Sequence, residues 1–250
     1  MRAGLIGFGR TGKHVAAAIM ESHDFTLEWV LRKKTLLENR SVPEFLGLNG
    51  DESCRIYSTE HITYDELFDL HPVDCIIDFS SAESIHNYGS EAAERGIKIL
   101  SAISHYEKED ISFMKLISKK TAVFWSANIT LGVNFLLLAS KLLKKMAPFV
   151  DIEVIEEHFR EKKGVSGTAV KLAQALDVHT SKINSVRAGG IVGKHEVIFG
   201  FPYQTVRLVH ESISREAFGT GVLFAARNLV DKRKGYFNYE DILIPYFTLH

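Results

Sequence analysis

The sequence predicts an α/β protein of two lobes, an N-terminal lobe built on a parallel sheet and a smaller α+β lobe. Three observations carry this. Short apolar strand patterns alternate with helical patterns over the first half of the chain, as in a parallel sheet with helices on both faces. The first strand runs straight into a glycine-rich turn. Beyond residue 130 the alternation stops, and strand patterns cluster between two helical ones.

Residues 3–6 form a short apolar strand that opens on Gly7-Phe8-Gly9-Arg10-Thr11-Gly12, and residues 13–20 continue as an alanine-rich helix. A Gly-x-Gly-x-x-Gly between strand and helix is what a Rossmann-type dinucleotide-binding domain requires. Its glycines let the backbone turn tightly against a pyrophosphate, and the helix dipole favours the phosphate charge. Residues 25–31 are the second strand, which stops at Arg32-Lys33-Lys34. NAD-selective sites place an acidic residue there to bind the ribose hydroxyls. This chain has Arg32, with Glu28 falling inside the strand. The three positive charges of Arg32, Lys33 and Lys34 suit a 2′-phosphate, so NADPH is the expected cofactor and NADH the alternative.

Residues 73–79 read as a strand ending in Asp78-Phe79-Ser80-Ser81, followed by a helix over 82–95. A strand at 97–102, a helix at 108–119 and a strand at 122–126 continue the alternation. Ligands of such sheets bind beyond the carboxyl ends of the strands. That gathers Phe79, Ser80, Ser101, Ala102, Ile103, Ser126, Ala127 and Asn128 with the glycine turn around one crevice, as expected cofactor contacts. The stretch 42–62 is irregular and receives no function.

Residues 131–146 form a long amphipathic helix. The most telling segment follows: an apolar strand delivers His158, a basic loop carries Lys162 and Lys163, and Ser166-Gly167-Thr168 opens a helix over 167–176. Free backbone N–H groups at a helix start attract an anion. A histidine, a lysine four residues on and an anion cradle together point to a carboxylated substrate. Residues 184–212 are strand-like, with 197–199 and 205–209 flanking Gly200-Phe201-Pro202 as a turn. A helix over 217–230 and the segment 239–243 return to the first lobe. The expected division is 1–128 with 216–250 for the dinucleotide-binding domain and 129–215 for the substrate and oligomerisation domain.

Composition narrows the partners. A net charge of −1 gives no general pull toward nucleic acid or membrane. Lys141, Lys144 and Lys145 interrupt the longest apolar helix, so no membrane span is expected. Cys54 and Cys75 have no zinc or disulfide spacing, and no signal-peptide pattern precedes the first strand. A reduced, cytoplasmic protein without a metal is the expectation.

Taken together, these motifs resemble the dihydrodipicolinate reductase family. The resemblance rests on the glycine turn, on Glu153 to Glu156 with His158, on Lys162 and on Ser166-Gly167-Thr168-Ala169. Asp78-Phe79-Ser80, Ala127-Asn128 with Gly132-Val133-Asn134, and Arg187-Ala188-Gly189 with Ile191-Val192-Gly193-His195 support it. It implies hydride transfer from a reduced nicotinamide to an unsaturated cyclic dicarboxylate, with His158 and Lys162 as the acid/base pair. Lys162 would supply or relay the proton, with His158 polarising the substrate or serving as an alternative donor; Lys163 is the rival lysine. Ser166, Gly167 and Thr168 would hold a carboxylate. The resemblance also implies a homotetramer built on the second lobe.

The chain departs from the family pattern at named places. Phe159 stands where a second histidine usually contacts substrate. Between Lys162 and Ser166, Lys163-Gly164-Val165 stands where the family carries an Asp-Ala-Pro, in a segment one residue shorter than the family's, which removes a loop rigidifier. Ser101-Ala102-Ile103-Ser104 replaces a Gly-Thr-Thr-Gly, and the glycine turn is one residue shorter than the commonest form. Phe159 and Ile103 would make the pocket more apolar, which favours a paralogue acting on another imine or enoyl carboxylate. A non-catalytic nucleotide-binding protein is the third alternative.

Overall fold

The structure is a computed structural model describing residues 1–49 and 53–247. Two compact units divide it: Met1–Ile129 with Phe218–His250, and Thr130–Ala217. The expected irregular stretch 42–62 includes residues 50–52, and the expected first domain includes residues 248–250; both groups lie outside the described residues.

In chain order the first unit contains β1 (Arg2–Ile6), α1 (Arg10–Met20), β2 (Thr26–Arg32), α2 (Val42–Leu46), β3 (Arg55–Ser58), α3 (Tyr64–Leu70) and β4 (Cys75–Asp78). Then come α4 (Ser84–Glu94), β5 (Lys98–Ser101), α5 (Lys108–Ile117) and β6 (Ala122–Trp125). The second unit holds α6 (Leu131–Met146), β7 (Asp151–His158), α7 (Gly167–Ala175), β8 (Ile183–Arg187), β9 (Gly193–Phe201) and β10 (Gln204–Ser212). The chain returns to the first unit through α8 (Glu216–Leu229), β11 (Gly235–Phe237) and α9 (Tyr239–Leu243).

The first unit is a parallel seven-stranded sheet in the order β11-β6-β5-β4-β1-β2-β3. Its 3-2-1-4-5-6 portion is the doubly wound Rossmann arrangement, whose order reverses between β1 and β4. Strands buried on both faces read as unbroken apolar runs, which is why Cys75-Ile76-Ile77 and Ala122-Val123-Phe124 are fully buried. Trp29, Ile76, Tyr88, Ile99 and Val123 belong to one core cluster. In the irregular stretch, α2 starts on a Ser41 cap and ends at Gly47, and β3 pairs with β2 as the sheet edge.

The second unit is a four-stranded mixed sheet, β10-β9-β7-β8, with only β7 and β8 parallel. Alternate residues of β7 are buried. Ile152 and Val154 pack with Val197, Phe199, Leu136 and Leu172, and this pins the register. The hairpin turn lies one step later than expected: β9 runs through Gly200 and Phe201, and the chain reverses at Pro202-Tyr203, where Tyr203 takes a φ of 67°.

Candidate active site

In the first unit the glycine turn closes against the end of β4. Gly7 has a φ of +95°, and a Cβ there would stand 2.6 Å from the carbonyl carbon of Phe79. A Cβ on Gly12 would lie 2.0 Å from the carbonyl oxygen of Gly7, so only glycine lets α1 start so close to β1. Gly12→Ala is therefore expected to cost about 1–3 kcal/mol of unfolding free energy and to weaken nucleotide binding, both readable by urea unfolding with and without nucleotide. At Gly9 a Cβ would meet no protein atom, so the turn leaves open space at the start of the helix.

That space belongs to a cavity of ≈ 910 Å³ lined by Gly7, Phe8, Gly9, Arg32, Lys33, Lys34, Thr59, Phe79 and Ser80, among others. A groove of this size, lined by both the glycine turn and three cations, fits a dinucleotide. Arg32 reaches the carbonyl of Leu36 at 2.6 Å, and Lys33 and Lys34 are exposed. Arg10 is exposed, Thr11 half-buried and Gly12 buried just inside the helix, outside the cavity lining.

The wall at Phe79-Ser80 has a support that sequence reading missed. Asp78 is fully buried; its carboxylate accepts from the Ser80 N–H at 2.8 Å, the Ser80 hydroxyl at 2.5 Å and the Tyr88 hydroxyl at 2.9 Å. Burial pushes its pKa up to about 6, against the pull of those hydrogen bonds. An aspartate ending an otherwise apolar strand was the signal in the sequence.

The remaining expected cofactor contacts do not line this cavity. Ser101 is buried and its hydroxyl meets Tyr106 at 2.8 Å. Ile103 sends its side chain into the core cluster rather than into a crevice, and its carbonyl accepts from the Trp125 indole at 2.9 Å. The apolar bulk expected of Ile103 at the site is thus spent on packing. Ala102 is half-buried, and its N–H donates to the carbonyl of Asp78. Ser126 is buried and bonds the carbonyl of Asn128 at 2.5 Å; Ala127 and Asn128 are half-buried.

In the second unit the buried face of the sheet changes character at its end. Beyond Val154, β7 puts Glu156 and His158 on the same face as the core, and the register sets Ser185 and His195 beside Glu156 and Arg187 beside His158. A carboxylate on a buried face must be paired. Glu156 receives Ser185 at 2.6 Å, the Arg187 guanidinium and the Nδ1 of His158. Burial alone would raise its pKa, but these hydrogen bonds outweigh burial and hold it down to about 2. An ionised Glu156 accepts only, so Nδ1 of His158 carries the proton and Nε2 holds the lone pair. Burial lowers the His158 pKa below 6.5, against Glu156 and with help from the charges of Lys162 and Arg187.

His195 meets His158 edge-on, with ring centroids 5.3 Å apart, and its Nε2 lies 2.9 Å from the Ser166 hydroxyl. Its Nδ1 is buried with no hydrogen-bond partner, and burial takes its pKa down to about 4. An orphaned acceptor is tolerated more often than an orphaned N–H, which places the proton on Nε2. Ser166 Oγ then accepts from His195 and from the N–H of Ala169 at 3.1 Å, leaving its own hydrogen to donate outward. Around this cluster Lys162 and Thr168 are half-buried, and Lys163 and Gly167 are exposed. Phe159 is 40% exposed. Sequence reading quoted Arg187 and His195 without a role and missed Ser185.

Family models described as dihydrodipicolinate reductase, N-terminus and C-terminus match residues 1–129 and 131–243. The chain belongs to the dihydrodipicolinate reductase family. It is 33% identical to the 4-hydroxy-tetrahydrodipicolinate reductase of Caldanaerobacter subterraneus subsp. tengcongensis, over 80% of this chain and 89% of that one. Identity to the enzyme of that name from Wigglesworthia glossinidia brevipalpis is 26%, covering 94% and 89%. The fold is that of a dipicolinate-bound dihydrodipicolinate reductase from Paenisporosarcina sp. TG-14, with a TM-score of 0.80 over 95% of this chain and 97% of that one at 19% identity. An amine dehydrogenase from Mycobacterium smegmatis shares the architecture at a TM-score of 0.67 and 9% identity, covering 96% and 95%. A Rossmann unit joined to a smaller mixed-sheet unit is therefore the family fold.

Proposed function

We propose that the chain is an oxidoreductase of diaminopimelate and lysine biosynthesis, reducing dihydrodipicolinate to tetrahydrodipicolinate with NADPH. The observation that carries this reading is the His158–Glu156 pair set beside an outward-donating Ser166 at the start of α7. Gly7, Gly9, Phe79 and Ser80 would hold the pyrophosphate half of the nucleotide, and Arg32 and Lys33 its 2′-phosphate. The reduced nicotinamide supplies the hydride. The protein must bind a dicarboxylate, hold it in place and deliver a proton.

Ser166, Gly167 and Thr168 present a hydroxyl and helix-start N–H groups suited to one carboxylate, with the helix dipole adding to the attraction. Lys162 and Lys163 supply positive charge beside them. With His158 neutral at pH 7 and its Nε2 a lone pair, the imidazole accepts or relays a proton rather than starting as the donor. That leaves Lys162 as the proton source. Phe159 gives the site an apolar wall where other family members usually carry histidine.

Ser166→Ala tests the cradle. Losing the cap costs about 1 kcal/mol of stability. Losing the outward hydroxyl raises KM for the dicarboxylate with KM for NADPH unchanged, as steady-state kinetics would show. An unchanged dicarboxylate KM would remove Ser166 from the substrate contacts.

The outer face of the second sheet exposes Val186 and Val209, which supports a homotetramer formed through it. Light scattering at four times the 28.1 kDa chain mass is the expected result. A cytoplasmic setting accords with the buried Cys54 and Cys75, which form no disulfide. Among the described residues no helix is long and apolar enough to cross a membrane.

A further inference from the structure

The loop between β7 and α7 lacks the proline that would stiffen it and carries Gly164 at a φ of +64°. Such a segment loses much backbone entropy on ordering. Yet its start is anchored. The N–H of Arg160 donates to the carbonyl of Gly189 and that of Ala188 to the carbonyl of His158, each at 3.1 Å. Arg187, at the end of β8, donates from Nε to the carbonyl of Lys162 at 3.1 Å and from Nη2 to the carbonyl of Gly164 at 2.7 Å. The same Nη2 donates to Oε1 of Glu156, whose other oxygen holds His158. A planar guanidinium presents its donors in a fixed fork, which a lysine cannot reproduce.

We infer that Arg187 is a positioning residue that clamps the Lys162–Gly164 loop onto the Glu156–His158 pair, so that the lysine and the histidine are held as one unit. This rests on the reading of those two residues as the proton-handling pair. The clamp acts through backbone carbonyls, so it fixes where Lys162 starts from and leaves its ammonium uncommitted.

The groups facing His158 are Glu156 on its own strand, Arg187 on β8, His195 on β9 and Lys162 in the loop. Removing Arg187 takes one positive charge from that set. The His158 pKa should therefore rise, and the acid limb of the rate profile should move to higher pH with it.

The test compares wild type, Arg187→Ala and Arg187→Lys in three measurements. Trypsin cleavage after Lys162 or Lys163, followed by mass spectrometry without substrate, reads the loop alone; both variants should be cut faster. Dihydrodipicolinate reduction should fall about 100-fold in kcat/KM for Arg187→Ala, the scale of a small misplacement of reacting groups. Guanidinium at sub-denaturing concentration should restore part of that loss, whereas it can only weaken a merely destabilised fold. NMR titration of the His158 ring should give a higher pKa in Arg187→Ala.

Wild-type cleavage, turnover and titration in the variants would overturn the inference. If wild type itself reduced no dihydrodipicolinate, the functional reading would fail, while cleavage and titration would still decide the clamp. Should Arg187→Ala not fold, Arg187→Lys decides. It keeps a charge on Glu156 but cannot span both carbonyls, so wild-type cleavage and rate in that variant would count against the clamp.

Discussion

Lys162→Ala is expected to lower the rate of dihydrodipicolinate reduction by about 10²–10⁴-fold, the usual worth of a positioned proton donor. Nucleotide affinity should not change, because the glycine turn and the cationic groove belong to the other unit. The expectation follows from the protonation states on the second sheet. Glu156 is held ionised by Arg187, Ser185 and His158, so it fixes Nδ1–H of the imidazole. Burial keeps that imidazole neutral at pH 7, which makes it an acceptor on its free side. A neutral acceptor does not initiate protonation, so on the proposed reading Lys162 in the loop is the donor. The variant should keep its fold, since the backbone of Lys162 rather than its side chain is what Arg187 holds. Stopped-flow rates for Lys162→Ala and Lys163→Ala separate the two lysines. A larger loss for Lys163→Ala would reverse the assignment.

Arg32→Glu should reverse the cofactor preference. Arg32 ends β2 beside Lys33 and Lys34 on the cavity wall, and its backbone carbonyl is tied to Thr59. Its guanidinium donates to the carbonyl of Leu36, which restrains the side chain. Replacing it by a carboxylate removes a charge-assisted contact to a 2′-phosphate and adds repulsion, for a loss of about 10–100-fold in kcat/KM with NADPH. The same carboxylate can accept from ribose hydroxyls, so NADH should be gained or unaffected. An unchanged NADPH to NADH ratio would show that Arg32 does not read the 2′ position.

Much of this architecture was legible because buried elements announce themselves. β1, β4, β5 and β6 each centre on a short buried apolar stretch, and α6 carries a helical period from Leu131 to Met146. What escaped notice lies at edges. β3 is a four-residue edge strand in a polar stretch, and β11 has only three residues. Neither is long enough for periodicity to show. In the site, His158, Lys162 and Ser166 stand out because they are close in sequence. Their supports are not: Ser185, Arg187 and His195 arrive through strand register, 27 or more residues from His158. Glu156 was nevertheless detectable in principle, as a carboxylate on the buried face of an alternating strand. Ile103, after β5, joins the core cluster, where a large aliphatic side chain gains from burial.

The most direct test is NADPH oxidation by the purified protein, with dihydrodipicolinate generated in place by the preceding synthase, NADH alongside and Lys162→Ala as the control. Rapid oxidation that requires both the synthase product and Lys162 is the predicted result. Tight NADPH binding without substrate-dependent oxidation would contradict the assignment and move it to another unsaturated carboxylate or to a non-catalytic role.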